Sequence, residues 1–205
     1  MDHRLGPRLI DTNLQLNWLE RLVRWLLLQW FYRSGWSISG QLPPDRKFVI
    51  MGASHTSNWD FLVFMGAVHA VGRQIRFVGK HSLFRWPLGG FMRALGGVPV
   101  DRSKSQDLVS QVVDQFRAHD DFILVVAPEG TRSFTTQWKS GFYQIALKAG
   151  VPILAAGPDY PTRRAVFGAL IHPTGQYQAD MKPAFAFFRT ITPKHPERAG
   201  FPDGC

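Results

Sequence analysis

The chain is short of cysteine. Its single cysteine, Cys205, is the last residue of the sequence, which excludes an intramolecular disulfide framework and a zinc site built from cysteines. The histidines other than His55 show no metal-ligand spacing to one another, so we expect them to be structural or exposed. A reducing compartment is compatible with this composition.

Long uninterrupted apolar runs are missing as well. The most apolar stretch, residues 14–32, is interrupted by the charged residues Glu20, Arg21 and Arg24. A helix that spans a bilayer needs about 20 predominantly apolar residues, so we expect no span here. Residues 1–13 are mixed and polar and have no signal-peptide layout.

The same apolar stretch has helical periodicity. Its apolar residues recur at spacings of three and four and define one face of a helix. They are Leu16, Leu19, Leu22, Val23, Leu26, Leu27 and Trp30. The helix either packs on its own domain or lies in a membrane interface, and this segment alone favours neither. A break at residues 41–45 (QLPPD) then divides the chain into a membrane-interface segment, 1–40, and a main domain, 41–205.

Acidic residues are scarce relative to basic ones. Fifteen aspartates and glutamates face 24 lysines and arginines, which gives a formal net charge of +9. Such a chain is attracted to polyanions, meaning nucleic acid, an anionic membrane or phosphorylated substrates. Sixteen phenylalanines and seven tryptophans accompany the charge, and this pairing suits a lipid surface at least as well as nucleic acid.

Strand-like and helix-like segments alternate along the main domain. The predicted strands are residues 46–52, 75–79, 97–101, 122–127, 151–156, 165–171 and 184–188. The predicted helices are residues 58–72, 83–95, 103–119 and 141–149. The pattern predicts an α/β fold with a mostly parallel central sheet, flanking helices and an N-terminal amphipathic helix.

A histidine and an aspartate follow the first of these strands. His55 and Asp60 are five residues apart, and five residues on one helix turn by about 140°. We therefore expect His55 in the turn before a helix and Asp60 near its start, with Ser57 or Asn58 as the cap. Such a pair supplies a general base, because the carboxylate orients the ring and leaves its other nitrogen to accept a proton. A capping cluster with a partly buried histidine explains the same spacing, and spacing alone favours it.

The segment Pro128–Ser133 (PEGTRS) follows the predicted strand 122–127. Glu129 and Arg132 flank Gly130 where a buried strand reaches the surface, so these charges are not core residues. The glycine permits a close backbone approach, and the arginine offers a fork of donors suited to phosphate. The alternative is a loop in which Glu129 and Arg132 pair with each other.

Basic residues are concentrated between positions 76 and 104, with Asp101 as the one acidic residue in that interval. They are Arg76, Lys80, Arg85, Arg93, Arg102 and Lys104. Several would converge on the sheet edge that carries His55 and Arg132, although such a scatter is most often a solvated face.

Taken together and in order, these segments resemble the glycerolipid acyltransferase superfamily, which includes lysophosphatidate and glycerol-3-phosphate acyltransferases. The four matching motifs are His55 with Asp60 (H-x4-D), Gly97–Arg102, Pro128–Ser133 and Val151–Leu154. Lys80 also lies where the family carries a lysine before its second motif. The resemblance covers residues 46–156.

The resemblance implies an O-acyltransferase of phospholipid biosynthesis that has no resident cofactor. It implies transfer of a fatty acyl group from acyl-CoA or acyl-carrier protein to a lysophospholipid hydroxyl, with 1-acylglycerol-3-phosphate as the favoured acceptor. His55 would be the general base and Asp60 its orienting carboxylate, with no covalent intermediate. The implied substrate-binding residues are Glu129, Gly130, Thr131, Arg132, Arg102 and Lys80.

The expected partners are an anionic membrane surface, the lysophospholipid and the thioester donor, and not nucleic acid. The expected location is peripheral, on the cytoplasmic side of a membrane. Three alternatives stay open at this point: a nucleic-acid-binding protein, a catalytically silent lipid-binding relative, and an enzyme for glycerol 3-phosphate or another lyso-lipid.

Overall fold

The computed structural model describes residues 18–86, 89–94, 96–100 and 105–202. Its helices are α1 (Trp18–Arg33), α2 (Trp59–Val71), α3 (Gly89–Ala94), α4 (Ser105–Ala118), α5 (Gly141–Ala149) and α6 (Tyr177–Phe188). Its strands are β1 (Ser37–Ser39), β2 (Lys47–Gly52), β3 (Ile75–Lys80), β4 (Gly97–Val100), β5 (Phe122–Val126), β6 (Ile153–Asp159) and β7 (Arg164–Ile171). Short 3₁₀ turns lie at His81–Phe84 and Pro196–Arg198.

The strands form one sheet in the order β1-β7-β6-β2-β5-β3-β4. Every neighbouring pair is parallel except β6 with β7, which run antiparallel. The predicted α/β fold with a mostly parallel sheet is therefore confirmed. Because β2, β5 and β3 are parallel neighbours, the loops that follow them meet at one edge of the sheet.

The central strand β2 is buried on both faces. Its alternate residues enter two cores, Val49 and Met51 on the side of α5 and α6, and Phe48 and Ile50 on the side of α2. This two-sided burial explains why the strand reads as a continuous apolar run in the sequence.

Two of the predicted elements differ from the structure. The predicted strand 184–188 is wrong, because these residues are the last part of α6. Met181, Ala184, Phe185 and Phe188 are buried at helical spacings, and so short an apolar run does not distinguish a strand from a buried helix. The predicted helix 83–95 is divided into the 3₁₀ turn His81–Phe84 and the short α3.

The predicted N-terminal helix is present as α1, and residues 14–17 lie outside the described part. One side of α1 packs on α2, where Phe31 is fully buried over Gly66. A Cβ on Gly66 would come within 2.5 Å of the Phe31 ring, so the two helices touch at a glycine. The other side exposes large apolar side chains: Leu22, Trp25, Leu26 and Tyr32.

Within the described residues, no helix has both the length and the apolarity needed to cross a bilayer. The division of the chain at residue 40 stays a prediction.

Candidate active site

His55 lies in the loop between β2 and α2, and Asp60 is the second residue of α2. The imidazole Nδ1 is 3.4 Å from the Asp60 Oδ2. The His55 side chain is 31% exposed and that of Asp60 only 5%. The ring is therefore reachable from outside while the carboxylate behind it is shielded.

Asp60 is held by hydrogen bonds on both carboxylate oxygens. Oδ2 accepts the backbone N–H groups of Thr56 at 2.8 Å and Ser57 at 2.7 Å, and Oδ1 accepts the Tyr160 hydroxyl at 2.6 Å. Burial raises the pKa of Asp60, but hydrogen bonds from His55, Tyr160 and these two amides outweigh it, and the pKa lies below its ordinary value. Asp60 is therefore a buried anion at neutral pH.

The capping interpretation of this segment is met only in part. Asn58 occupies the N-cap position of α2 without a side-chain cap hydrogen bond. The Ser57 hydroxyl oxygen accepts the Trp59 N–H at 3.2 Å, which organises the helix start. Asp60 shapes the loop through two amides and also faces the His55 ring, so helix capping does not account for the whole arrangement.

Glu129, in the loop after β5, contacts the loop between β2 and α2. Its Oε1 accepts the backbone N–H of His55 at 3.0 Å, and the residue is 7% exposed. Burial raises the pKa of Glu129 to about 7, although its hydrogen bond from His55 acts in the opposite direction. Its other oxygen, Oε2, is buried and has no hydrogen-bond partner among the described residues.

The alternative interpretation, in which Glu129 pairs with Arg132, is not met in the described part of the structure. Arg132 is exposed, and its guanidinium makes no ion pair or hydrogen bond with any described residue. Thr131 is also exposed, and its hydroxyl accepts the Ser133 N–H at 3.2 Å within the loop. The expectation that neither charge is a core residue is therefore confirmed for the exposed Arg132 and wrong for Glu129, which is buried where its carboxylate accepts the His55 N–H.

Gly130 has a left-handed φ of 64°, and a Cβ there would lie 3.1 Å from the Lys139 Nζ. The Lys139 backbone N–H donates to the Pro128 carbonyl at 2.8 Å, which folds this lysine back over the loop. Lys139 is a cation at the site that sequence reasoning missed. Its closeness in the chain to Arg132 was the signal that could have found it.

Two further residues, Arg102 and Lys80, were predicted to bind phosphate. Arg102 lies outside the described residues. Lys80 ends β3, two strands from β2 across β5, so its backbone is at the same edge of the sheet as His55.

An apolar cavity of about 370 Å³ lies between α2 and the sheet and reaches the His55–Asp60 pair. Its lining includes the apolar residues Phe61, Val63, Phe64, Ala67 and Val68 of α2 and Ile50, Ile75, Phe77, Val125 and Phe167 of the sheet. His55, Asp60 and Gly130 also line it. Such a lining suits a hydrocarbon chain with a reactive group at the histidine.

Gly157 on β6 allows the sheet to meet the loop between β2 and α2. A Cβ at this position would lie 2.0 Å from the Ala53 carbonyl oxygen, so only glycine fits.

Comparisons with known proteins identify the family. Residues 37–157, more than half of the chain, match the family model described as Acyltransferase. The chain belongs to the acyltransferase family. The matched segment includes His55, Asp60 and Pro128–Ser133, and it confirms the resemblance that the motifs indicate.

The fold of this acyltransferase is similar to a solved structure, that of the 1-acyl-sn-glycerophosphate (LPA) acyltransferase PlsC from Thermotoga maritima. The TM-score is 0.54 at 18% sequence identity, over 84% of this chain and 78% of that chain. This likeness shows a shared fold. No curated protein matches the acyltransferase in sequence.

The acyltransferase site offers acid–base chemistry. With Nδ1 facing Asp60, the other ring nitrogen, Nε2, is left to accept a proton. Among the residues that the structure describes, no three His, Cys, Asp or Glu side chains form a group suited to a metal ion.

Proposed function

We propose that this acyltransferase moves a fatty acyl group from a thioester, acyl-CoA or acyl-carrier protein, to the hydroxyl of a lysophospholipid. The proposed acceptor is 1-acylglycerol-3-phosphate, and the proposed setting is phospholipid biosynthesis. The observation that carries this proposal is the apolar cavity that ends at a His–Asp pair. A fatty acyl chain in the cavity would bring its thioester carbonyl carbon to His55.

The proposed reaction is a direct transfer. The Nε2 of His55 takes the proton of the acceptor hydroxyl, whose oxygen forms a bond to the thioester carbonyl carbon. The tetrahedral intermediate then loses the sulfur, and the thiolate receives the proton from the imidazolium. The products are an ester and a free thiol, and no further reactant or resident cofactor is needed. Asp60 stabilises the imidazolium throughout.

A proposed role in oxyanion stabilisation for Gly130 requires a local rearrangement. The Gly130 N–H donates to the Ala127 carbonyl at 3.3 Å, so it does not point at a substrate in this structure. That bond is long, and a stronger acceptor such as a developing oxyanion would compete for the same N–H.

We also propose that the cations beside the motif hold the acceptor phosphate. Arg132 is exposed and lacks an ion-pair partner among the described residues, and Lys139 places its ammonium beside Gly130. Lys80 and Arg102 would complete the set, as the family resemblance implies. Thr131 would contact the same headgroup, and Glu129 would place the acceptor through Oε2, which has no hydrogen-bond partner among the described residues.

The partner surface proposed for the enzyme is an anionic membrane, with the protein peripheral on its cytoplasmic side. The exposed apolar side of α1 and the net charge of +9 support this choice. Trp59, next to Asp60, is 49% exposed and stacks on Trp30 of α1, so the apolar surface extends to the site. An apolar cavity at the reacting pair favours lipid over nucleic acid.

The catalytic proposal is tested with purified protein, long-chain acyl-CoA and 1-acylglycerol-3-phosphate. We expect thiol release that depends on the acceptor, and His55→Ala should reduce it about a hundredfold. The exposed His172→Ala is the matched control and should change the rate by less than twofold. Full activity of the His55 variant would overturn the base assignment, and no transfer to any lyso-lipid would favour the catalytically silent alternative.

The membrane proposal is tested by replacing exposed residues of α1 rather than by deleting the helix, because Phe31 is part of the core. Trp25→Ala combined with Leu26→Ala should weaken binding to phosphatidylglycerol-containing vesicles about tenfold, since two half-exposed apolar side chains are lost. Leu170→Ala, an exposed apolar residue on β7, is the control. Equal binding of all three proteins would contradict the role of α1.

A further inference from the structure

The two oxygens of Asp60 have different partners. Oδ2 faces the His55 ring and two loop amides, whereas Oδ1 accepts one side-chain hydrogen bond, from the Tyr160 hydroxyl at 2.6 Å. Burial and the adjacent carboxylate raise the pKa of Tyr160, so the hydroxyl stays a donor. The phenol thus fixes the oxygen that does not face the histidine.

Tyr160 is itself held by parts of the fold outside the loop between β2 and α2. Its ring packs edge-on against the buried Trp36, with 5.1 Å between ring centroids. Its backbone N–H donates to the Thr192 carbonyl at 2.9 Å, and its carbonyl accepts the Arg163 N–H at 3.2 Å. The position of the hydroxyl is therefore set by the scaffold and not by the loop that it supports.

We propose that Tyr160 is a positioning residue for acyl transfer, which locks the Asp60 carboxylate so that Oδ2 faces the Nδ1 of His55. This inference rests on the proposed roles of His55 and Asp60. Tyr160 follows β6 and lies just beyond the segment that matches the family model, so no motif of that segment assigns it a role.

The geometry gives the hydroxyl this function because a carboxylate has a broad torsional preference about its last bond. The loop amides and the imidazole all bind Oδ2, and they alone do not fix the other oxygen. Because Oδ1 accepts the Tyr160 hydroxyl, each oxygen has its own partner and the orientation of the carboxylate plane is fixed. Within the described part of the chain, the titratable groups that face Asp60 are His55, Tyr160 and, through its charge, Glu129.

The test is Tyr160→Phe, which removes the hydroxyl and keeps the ring that packs on Trp36. We expect kcat to fall about tenfold, the scale of one hydrogen bond to a charged group, with both KM values within twofold. The acid limb of the pH profile should move to higher pH. Without the Tyr160 donor the Asp60 carboxylate is more basic, so the His–Asp pair binds a proton more tightly.

A matched control exists elsewhere in the fold. Tyr143 on α5 donates its hydroxyl to Asp180 at 2.5 Å and does not line the cavity. Tyr143→Phe breaks the same kind of bond and should leave kcat and the pH profile of the folded enzyme unchanged. An unchanged kcat in Tyr160→Phe, or an equal loss in both variants, would overturn the proposal.

A second readout does not depend on acyl transfer. The amide signals of Thr56 and Ser57, whose N–H groups bind Asp60, should shift in the ¹⁵N spectrum of Tyr160→Phe and not in that of Tyr143→Phe. If the enzyme assignment fails while these signals still shift, Tyr160 still orients Asp60 and only the reaction is wrong. Unshifted signals would overturn the positioning role whatever the protein catalyses.

Discussion

Asp60 and Glu129 are both buried carboxylates in contact with His55, yet their surroundings give them opposite charge preferences. Asp60 contacts the ring and has donors on both oxygens, so its pKa is lowered. Glu129 contacts the backbone N–H, has one oxygen without a partner among the described residues, and has its pKa raised to about 7. The number of donors, and not burial alone, decides which carboxylate stays ionised.

The largest expected effect comes from removing the charge of Asp60. Asp60→Asn keeps the shape but cannot stabilise the imidazolium, so we expect kcat to fall by roughly a thousandfold or more. Steady-state thiol release at saturating substrates measures this loss.

A second His–carboxylate pair is the control for that experiment. The Nδ1 of His195 is also 3.4 Å from an oxygen of Glu197, but this carboxylate side chain is 66% exposed. Glu197→Gln should change kcat by less than twofold, because solvent screens an exposed pair. Similar losses of kcat in Asp60→Asn and Glu197→Gln would contradict the claim that the buried pair is the one needed for the reaction.

A smaller effect is expected for Glu129→Gln, which should change how the free energy of unfolding depends on pH. A raised folded-state pKa stabilises the protein at low pH, and this advantage is lost as pH rises from 4.5 through about 7. The unfolding free energy of the wild type should therefore decrease by about 3 kcal/mol relative to Glu129→Gln between these limits. Urea unfolding of both proteins at pH 5 and pH 8 measures the difference.

Asp60 has the opposite pH dependence, and it does not contribute to the change in unfolding free energy between pH 5 and pH 8. Its lowered pKa adds stability above the ordinary value of 3.8, and that stability disappears only as pH falls further. A pH-independent difference between the wild type and Glu129→Gln would show that Glu129 does not titrate between pH 5 and 8, and the contrast between the two carboxylates would be lost.

The sequence predicts the parts of the site that are local in the chain. His55 and Asp60 are five residues apart, and helix geometry alone places one in the turn and the other at the helix start. The parallel direction of the strands likewise follows from the alternation of strand-like and helix-like segments, and parallel strands bring the loops after them to one edge of the sheet. The order β2-β5-β3 within that sheet was not predicted.

Contacts between distant residues could not be predicted in this way. Glu129 binds a backbone N–H 74 residues away, and Tyr160 binds a carboxylate 100 residues away. No local pattern specifies either partner, because both depend on how β5 and β6 lie beside β2. The pairing of Glu129 with Arg132 was the local alternative, and the backbone N–H of His55 is the partner that the fold supplies instead.

The contact of Phe31 with Gly66 has a consequence for how the enzyme would meet its acceptor. Because α1 rests on α2, and α2 carries Asp60 in its first turn, the side chains proposed to enter lipid and the reacting pair belong to one packed unit. The depth at which α1 settles would then fix the height of His55 above the lipid headgroups. Under the proposed function, a lyso-lipid would need to rise by that distance, so the length of its headgroup would influence which acceptors reach His55.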